Sequence, residues 1–156
     1  MSEGLLVISR MRPDSPEARI LIEARDADLR ERYPETAVVH GLRVHDTDDP
    51  RLIFLVARLR DRSVGCGAVR EREPGIGEVK RMFVVPNSRG RAIARQILVA
   101  LETAARASGY SALRLETGTR QPEAIGLYRS AGYCDIQLFS EYVGNVRSLC
   151  FEKQLV

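Results

Sequence analysis

The chain has 156 residues, 44% hydrophobic and 29% charged, a globular composition and not that of a disordered segment. That length suits one domain spanning 1–156 and is too short for two ordinary ones. A net charge of only +3, arginines scattered through every segment and no tryptophan argue against a nucleic-acid role, and no apolar run approaches the roughly 20 residues of a membrane span.

The first residues show no apolar stretch behind a basic end, so no signal peptide is expected and a cytoplasmic setting follows. Cys66, Cys134 and Cys150 share no metal-ligand spacing, and each sits in a strand-like apolar setting, as buried free thiols would. With only two histidines, His40 and His45, no metal site is expected.

Residues 5–9 read as a short strand. Asp14 or Ser15 can cap a helix, with Pro16 at its first position and Glu17 in its first turn. Ala18, Ile20, Leu21, Ile22, Ala24, Leu29 and Tyr33 make an imperfect helical stripe, and Pro34 ends it. Residues 35–50 are a polar loop with His40, Gly41, His45 and an acidic run at 46–49, and a loop this long is often functional. Residues 51–60, RLIFLVARLR, are apolar on both faces and predict a strand buried on both sides. A turn at 61–63 leads into a return strand, 64–70, where Gly65 and Gly67 leave one face bare for a close neighbour.

Glu73-Pro74-Gly75 turns the chain into a third strand at 78–85, which Pro86 and Asn87 stop. Ser88-Arg89-Gly90-Arg91 is a short basic turn. Ile93, Ile97, Leu98, Leu101 and Ala104 then recur at helical spacing, with Glu102 and Arg106 as an i,i+4 pair off the stripe. The first amides of a helix lack intrahelical partners and lie at the positive end of its dipole, so this turn is a ready phosphate site. Its single glycine excludes the glycine-rich dinucleotide fingerprint, and there is no Walker-type Gly-Lys-Ser/Thr.

Ser108-Gly109 closes the helix. Residues 112–117 form a strand parallel to the one before the helix, as a crossover connection demands. Thr119 can cap the next helix, built on Ala124, Ile125, Leu127 and Tyr128 and ended by Gly132. A strand at 133–139, a loop at 140–145 and a last strand at 146–153 pairing with 133–139 complete the chain. The order is β-α-loop-β-β-β-α-β-α-β-β.

This chain resembles the GNAT superfamily of acyl-CoA-dependent N-acetyltransferases. Two motifs carry the resemblance. Arg89-Gly90-Arg91-Ala92-Ile93-Ala94, preceded by Val84-Val85-Pro86, is similar to the family's pyrophosphate turn, Arg/Gln-x-x-Gly-x-Gly/Ala after Val-x-Pro. Ala124-Ile125-Gly126-Leu127-Tyr128-Arg129-Ser130-Ala131-Gly132-Tyr133 is similar to Ala-x-x-Leu-Tyr-x-x-x-Gly-Phe/Tyr. The resemblance implies an α/β fold, a mixed, mostly antiparallel sheet with one parallel splayed pair and helices on both faces. It implies acetyl-CoA as co-substrate, with no metal. Backbone groups of Met82, Phe83 and Val84 would meet the pantetheine arm, and the amides of Gly90, Arg91, Ala92, Ile93, Ala94 and Arg95 the pyrophosphate, with charge added by Arg89 and Arg91. Ala92 stands where the family has its middle glycine; a residue already in helical conformation can carry the methyl, so some loss of affinity is expected. Gln121 stands where the family often has asparagine.

Acyl transfer to an amine requires a held thioester, removal of a proton from an ammonium of pKa about 10.4, and stabilisation of the leaving thiolate. The resemblance assigns the last task to Tyr128. Two glutamates flank the expected gap as candidate bases, Glu116 ahead of Glu78. No cysteine is placed for a covalent intermediate, so direct transfer in a ternary complex is expected. The acceptor, a small-molecule or peptide amine, would be walled by 33–50 and 140–145, where His40, His45, Tyr142 and Asn145 are the polar groups, and the acidic run mildly favours a cationic acceptor. A catalytically inactive CoA-binding module is the rival reading, motivated by Ala92 and Gln121. An exposed edge at the C-terminal strands would support a homodimer.

Overall fold

A computed structural model describes residues 4–34 and 49–155. Seven strands form one sheet: β1 (Leu6–Arg10), β2 (Ile53–Leu59), β3 (Arg62–Glu73), β4 (Ile76–Val84), β5 (Ala112–Gly118), β6 (Cys134–Ile136) and β7 (Ser148–Gln154). Three α-helices accompany them: α1 (Pro16–Arg32), α2 (Ile93–Ala107) and α3 (Pro122–Ser130). The strand order is β1-β2-β3-β4-β5-β7-β6. Among the described residues β4 and β5 are the parallel pair and every other neighbouring pair is antiparallel. The element order, the mixed sheet and the single parallel pair match the expectation.

The alternation of β2 divides the core. Ile53, Leu55 and Ala57 join the cluster containing Ile97, Leu98 and Leu101 of α2, while Phe54 and Val56 join Ala18 and Leu21 of α1. The helices therefore cover both faces. Gly65 and Gly67 seat α2: a Cβ at either would come within 3 Å of Ile97, and one at Gly67 equally close to Leu101. Ser15 caps α1, its hydroxyl accepting from the Ala18 amide at 3.3 Å. Burial on α1 is confined to Ala18 and Leu21, and Ile20 of the expected stripe faces solvent.

The functional geometry begins where the parallel ladder stops. It runs from Ile76 opposite Ala112 to Val79 opposite Leu115. β4 then continues to Val84 and β5 to Gly118 without pairing to each other. In the same stretch Arg81 and Met82 stand opposite Gly67 alone, a β-bulge with Arg81 at φ 60°. The Cys66 thiol donates to the Arg81 carbonyl at 3.2 Å and pins the bulge from β3. A bulge bends its strand, and here it parts β4 from β5.

Several local expectations are corrected. Glu102 is buried, accepting from the Tyr133 hydroxyl at 2.9 Å and from Lys153 Nζ at 3.1 Å, instead of pairing with Arg106 on the surface. Thr119 does not cap α3; Gln121 is the capping residue, without a side-chain cap bond. The strand expected at 133–139 is only β6, because Phe139 leaves the ladder to pack edge-on against Tyr142, ring centroids 5.2 Å apart. Cys134 is exposed, since β6 is the edge of the sheet, whereas Cys66 and Cys150 are buried. His40, His45 and acidic residues 46–48 lie outside the described residues.

Candidate active site

A cleft of about 780 Å³ opens between the parted ends of β4 and β5. The start of α2, the length of α3 and the C-terminal half of α1 enclose it. Val79 to Val84, Arg89, Gly90, Ala92, Ile93, Ala94, Arg95, Glu116, Gln121 and Tyr128 all line it, so most of the residues singled out in the sequence meet in one place. Arg91 is exposed and Glu78 is not part of the lining.

On the cofactor side, the β5-facing edge of residues 80–84 meets no strand and can take an extended ligand as an added strand would. The Val84 carbonyl is already engaged by Arg89 Nε at 2.9 Å. That bond, and the stacking of the Arg89 guanidinium 5.6 Å from the Phe83 ring centroid, fold Arg89 back onto β4. The first helical hydrogen bond of α2 runs from the Gln96 amide to the Ala92 carbonyl, leaving the amides of Ile93, Ala94 and Arg95 at the cleft without intrahelical partners. Gly90 has φ 82° and Ala92 φ 59°. Ala92 is thus left-handed and not helical, which corrects the expectation of a helical conformation there; an alanine in that region costs roughly 1–2 kcal/mol relative to the right-handed region. Gln121 turns its Oε1 to the Gly118 amide at 3.1 Å, so its carbonyl oxygen closes the turn before α3.

Tyr128 is 5% exposed and projects from α3 to the cleft. Its ring is held by Tyr133, edge-on with centroids 5.9 Å apart, and by Phe151 at 6.4 Å. The hydroxyl makes no hydrogen bond among the described residues. Burial raises its pKa well above the ordinary tyrosine value, with the Arg25 charge opposing and the Glu116 charge adding. It stays protonated at neutral pH and keeps a proton to give.

The two glutamates have different surroundings. Glu116 borders the cleft, and one oxygen accepts from the Ser148 hydroxyl at 2.6 Å across the β5–β7 ladder. Glu78 is fully buried. Arg72 grips its Oε1 with two N–H groups, Nε at 2.9 Å, and the Tyr142 hydroxyl donates to its Oε2 at 2.7 Å. Lys80 Nζ donates to the Tyr142 oxygen at 2.9 Å and lies 3.7 Å from Glu78. Arg72 continues to Glu141 at 2.9 Å. Burial pushes the Lys80 amine down, with Glu78 opposing.

The sequence reading missed the contribution of α1. Arg25, Asp28, Leu29 and Arg32 line the cleft, as do Arg147 and Ser148 ahead of and at the start of β7, while Tyr33 lines it as the first residue of the expected 33–50 wall. The available signal was the polar side of α1: Arg25, Asp28 and Arg32 recur at helical spacing between the apolar positions. Tyr142 and Asn145 line the cleft as expected for the 140–145 wall. Burial pushes the Cys66 thiol up to about 12, which leaves it inert as a nucleophile. Among the described residues no group of histidine, cysteine or carboxylate side chains could hold a metal ion, and no helix is long and apolar enough to cross a membrane.

Comparison with known proteins agrees with this geometry. Residues 18–133 match the Acetyltransferase (GNAT) family. An "IAA acetyltransferase" of Azospirillum brasilense is 43% identical over 151 residues, 96% of this chain and 98% of that protein. A Klebsiella pneumoniae crystal structure, named for acyl-CoA N-acyltransferase activity, superposes with a TM-score of 0.81 at 35% identity, covering 97% of this chain and 99% of that one. A Salmonella typhimurium structure solved with its cofactor acetyl-CoA shares the fold at TM-score 0.67 and 16% identity, over 97% of this chain and 94% of that one. With the family matched over most of its length and a parted parallel pair beside an open α2 terminus, the chain belongs to the GNAT family and is an acyl-CoA-dependent N-acyltransferase.

Proposed function

We propose that this single domain, residues 1–156, transfers an acetyl group from acetyl-CoA to a primary amine by direct attack in a ternary complex. The observation that carries the reading is the open phenol of Tyr128 facing the same cleft as Glu116 and the unpaired amides of Ile93, Ala94 and Arg95. In this reading the pantetheine arm lies along Met82 and Phe83, and the pyrophosphate rests on the turn from Gly90 to Arg95. Glu116 takes a proton from the acceptor ammonium. The amine nitrogen bonds to the thioester carbon, the carbon–sulfur bond breaks, Tyr128 protonates the departing sulfur, and the second proton lost from nitrogen restores the phenol while the proton on Glu116 leaves to solvent. The products are CoA thiol, an N-acetyl amine and one proton.

A thiol-release assay over a panel of primary amines tests the reading, with the IAA that names the Azospirillum relative run as a separate arm. Turnover on at least one amine that falls with Tyr128→Phe supports it. Tight CoA binding without turnover on any amine would favour the rival, a non-catalytic CoA-binding module, for which the left-handed Ala92 is the specific motive. A homodimer paired through the β6 edge belongs to the same proposal: light scattering should give twice 17.5 kDa, and a monomer mass at high concentration would end it. A cytoplasmic location is likewise proposed, and fractionation tests it.

A further inference from the structure

Seven basic side chains line the cleft against three carboxylates, Asp28, Glu116 and Glu123. Most of the excess has an occupation. Arg89 and Arg95 stand by the turn proposed for the pyrophosphate, and Arg95 reaches Ser130. Arg32 pairs with Asp28 at 3.3 Å and with Glu123. Lys80 is tied into the Tyr142–Glu78 network.

Arg25 differs from these. Its side chain is only 17% exposed, and its Nη1 is fully buried without a hydrogen-bond acceptor among the described residues. The neighbouring carboxylate, Asp26 Oδ1, lies 3.5 Å from it and instead accepts from Arg81 at 2.7 Å. Two guanidinium groups thus share one oxygen, and Arg81 has the better bond. Burial and the like charge of Arg81 push the Arg25 guanidinium down from the usual arginine range, with Asp26 opposing. A guanidinium cannot shed its proton in a protein, so a buried N–H without an acceptor, on a side chain that lines the cleft, is a standing demand for one. Arg25 is also close enough for its charge to act on the Tyr128 phenol and on Lys80. Arg25 lines the same cleft as Lys80, Glu116 and Tyr128.

We infer that Arg25 anchors a carboxylate of the acceptor, so the amine acylated here is a carboxylate-bearing one, of amino-acid type. The inference rests on the acyl-transfer reading above and narrows its substrate class. A carboxylate fits because it is planar, anionic and able to take N–H groups of a guanidinium side by side. Held there, it presents the acceptor's other end to Tyr128 and Glu116, with the ammonium drawn to the carboxylate and the acid group drawn to the arginine. The acidic run at 46–49 mildly favoured a cationic acceptor. Its Asp49 is engaged locally, accepting from the Arg51 amide at 2.9 Å.

The test compares each standard L-amino acid with its own carboxamide as acceptor, using thiol release from acetyl-CoA. Wild-type protein should show kcat/KM higher for the acid than for the amide by on the order of tenfold to a hundredfold, the scale of a charge-assisted hydrogen bond. Arg25→Gln should collapse that ratio, and Arg25→Lys should retain part of it, since the charge survives and the fork does not. Melting temperature and acetyl-CoA KM of each variant report its folding, and the wild-type ratio needs no variant at all. Turnover with equal or better use of the amides would overturn the inference and leave the transfer reading standing, as would an Arg25→Gln loss equal on acid and amide. Absence of turnover on acids, amides and simple amines alike would overturn both.

Discussion

Glu78 stands opposite Arg114 in the parallel ladder, and Glu116 lies two residues further along β5, just past the last paired position. The residue type is the same and the strands are neighbours, yet their environments are opposite. Glu78 is closed under Arg72 and the turn at Ser140–Tyr142, its oxygens bonded to groups from two other segments. Glu116 borders an open cleft, one oxygen accepting from the Ser148 hydroxyl of β7. A proton acceptor must be reachable by the group it deprotonates, so the parting of the strands, more than residue type, separates the two roles. Glu78 holds the 140–145 segment against β4 through Tyr142, and in the proposed reaction Glu116 is the base.

The largest effect expected is on the phenol that marks the reacting end. Tyr128→Phe should lower kcat by about 10–1,000-fold with acetyl-CoA KM nearly unchanged, the scale of a lost proton transfer. Steady-state kinetics checks it, and an unchanged kcat would make Tyr128 a packing residue beside Tyr133 and Phe151. Next comes stability, where the two glutamates should diverge most. Glu78→Gln leaves Arg72 and Lys80 facing a neutral buried group and should cost about 3 kcal/mol, or roughly 6–12 °C of melting temperature. Glu116→Gln should melt within a few degrees of wild type, and similar losses for both would erase the distinction.

A pH series tests the outer member of the same network. Glu141 is held down at about 2: partial burial works against this, but hydrogen bonds from Ser140, from its own backbone and from Arg72 outweigh it. The folded-state pKa is below the unfolded value near 4.5, so this contribution is present above about pH 4.5 and lost as pH falls toward 2. Denaturant melts of wild type should weaken across that window, and Glu141→Gln should show a flatter dependence there. The smallest effect concerns the cofactor turn. Ala92→Gly removes a left-handed alanine and a methyl at the phosphate site, and should lower acetyl-CoA KM by about two- to tenfold with stability unchanged or up by about 1 kcal/mol. A raised KM would mean that the methyl makes a useful contact.

The sequence allowed the element order, the parallel pair and the α2 turn to be read, because each has a local cause: β-branched runs, a crossover helix, a stripe at helical spacing. The place of Tyr128 at the cleft was legible through its motif, since periodicity alone favours a core aromatic. The sealing of Glu78 was not legible, because it needs Tyr142 to return across more than sixty residues and dock on β4. Nor was the conformation of Ala92, where a backbone preference yields to the geometry of the turn. Arg25 was hidden in a helix whose stripe is weak because its polar side faces a cleft instead of solvent. Cys134 read as buried only because 133–139 was expected to be a longer strand within the sheet.

The measurement that bears most directly on the account is the pair of pH–rate profiles for Glu116→Gln and Glu78→Gln on one good acceptor, taken below the melting point of both. If Glu116 is the base, its variant should be slowest near neutral pH and should recover much of its rate as pH rises toward about 10, where the free amine forms without help. Folded Glu78→Gln should keep a profile of wild-type shape. A wild-type-like profile for Glu116→Gln beside a collapsed one for folded Glu78→Gln would contradict the account and move the proton path into the Glu78–Tyr142 network.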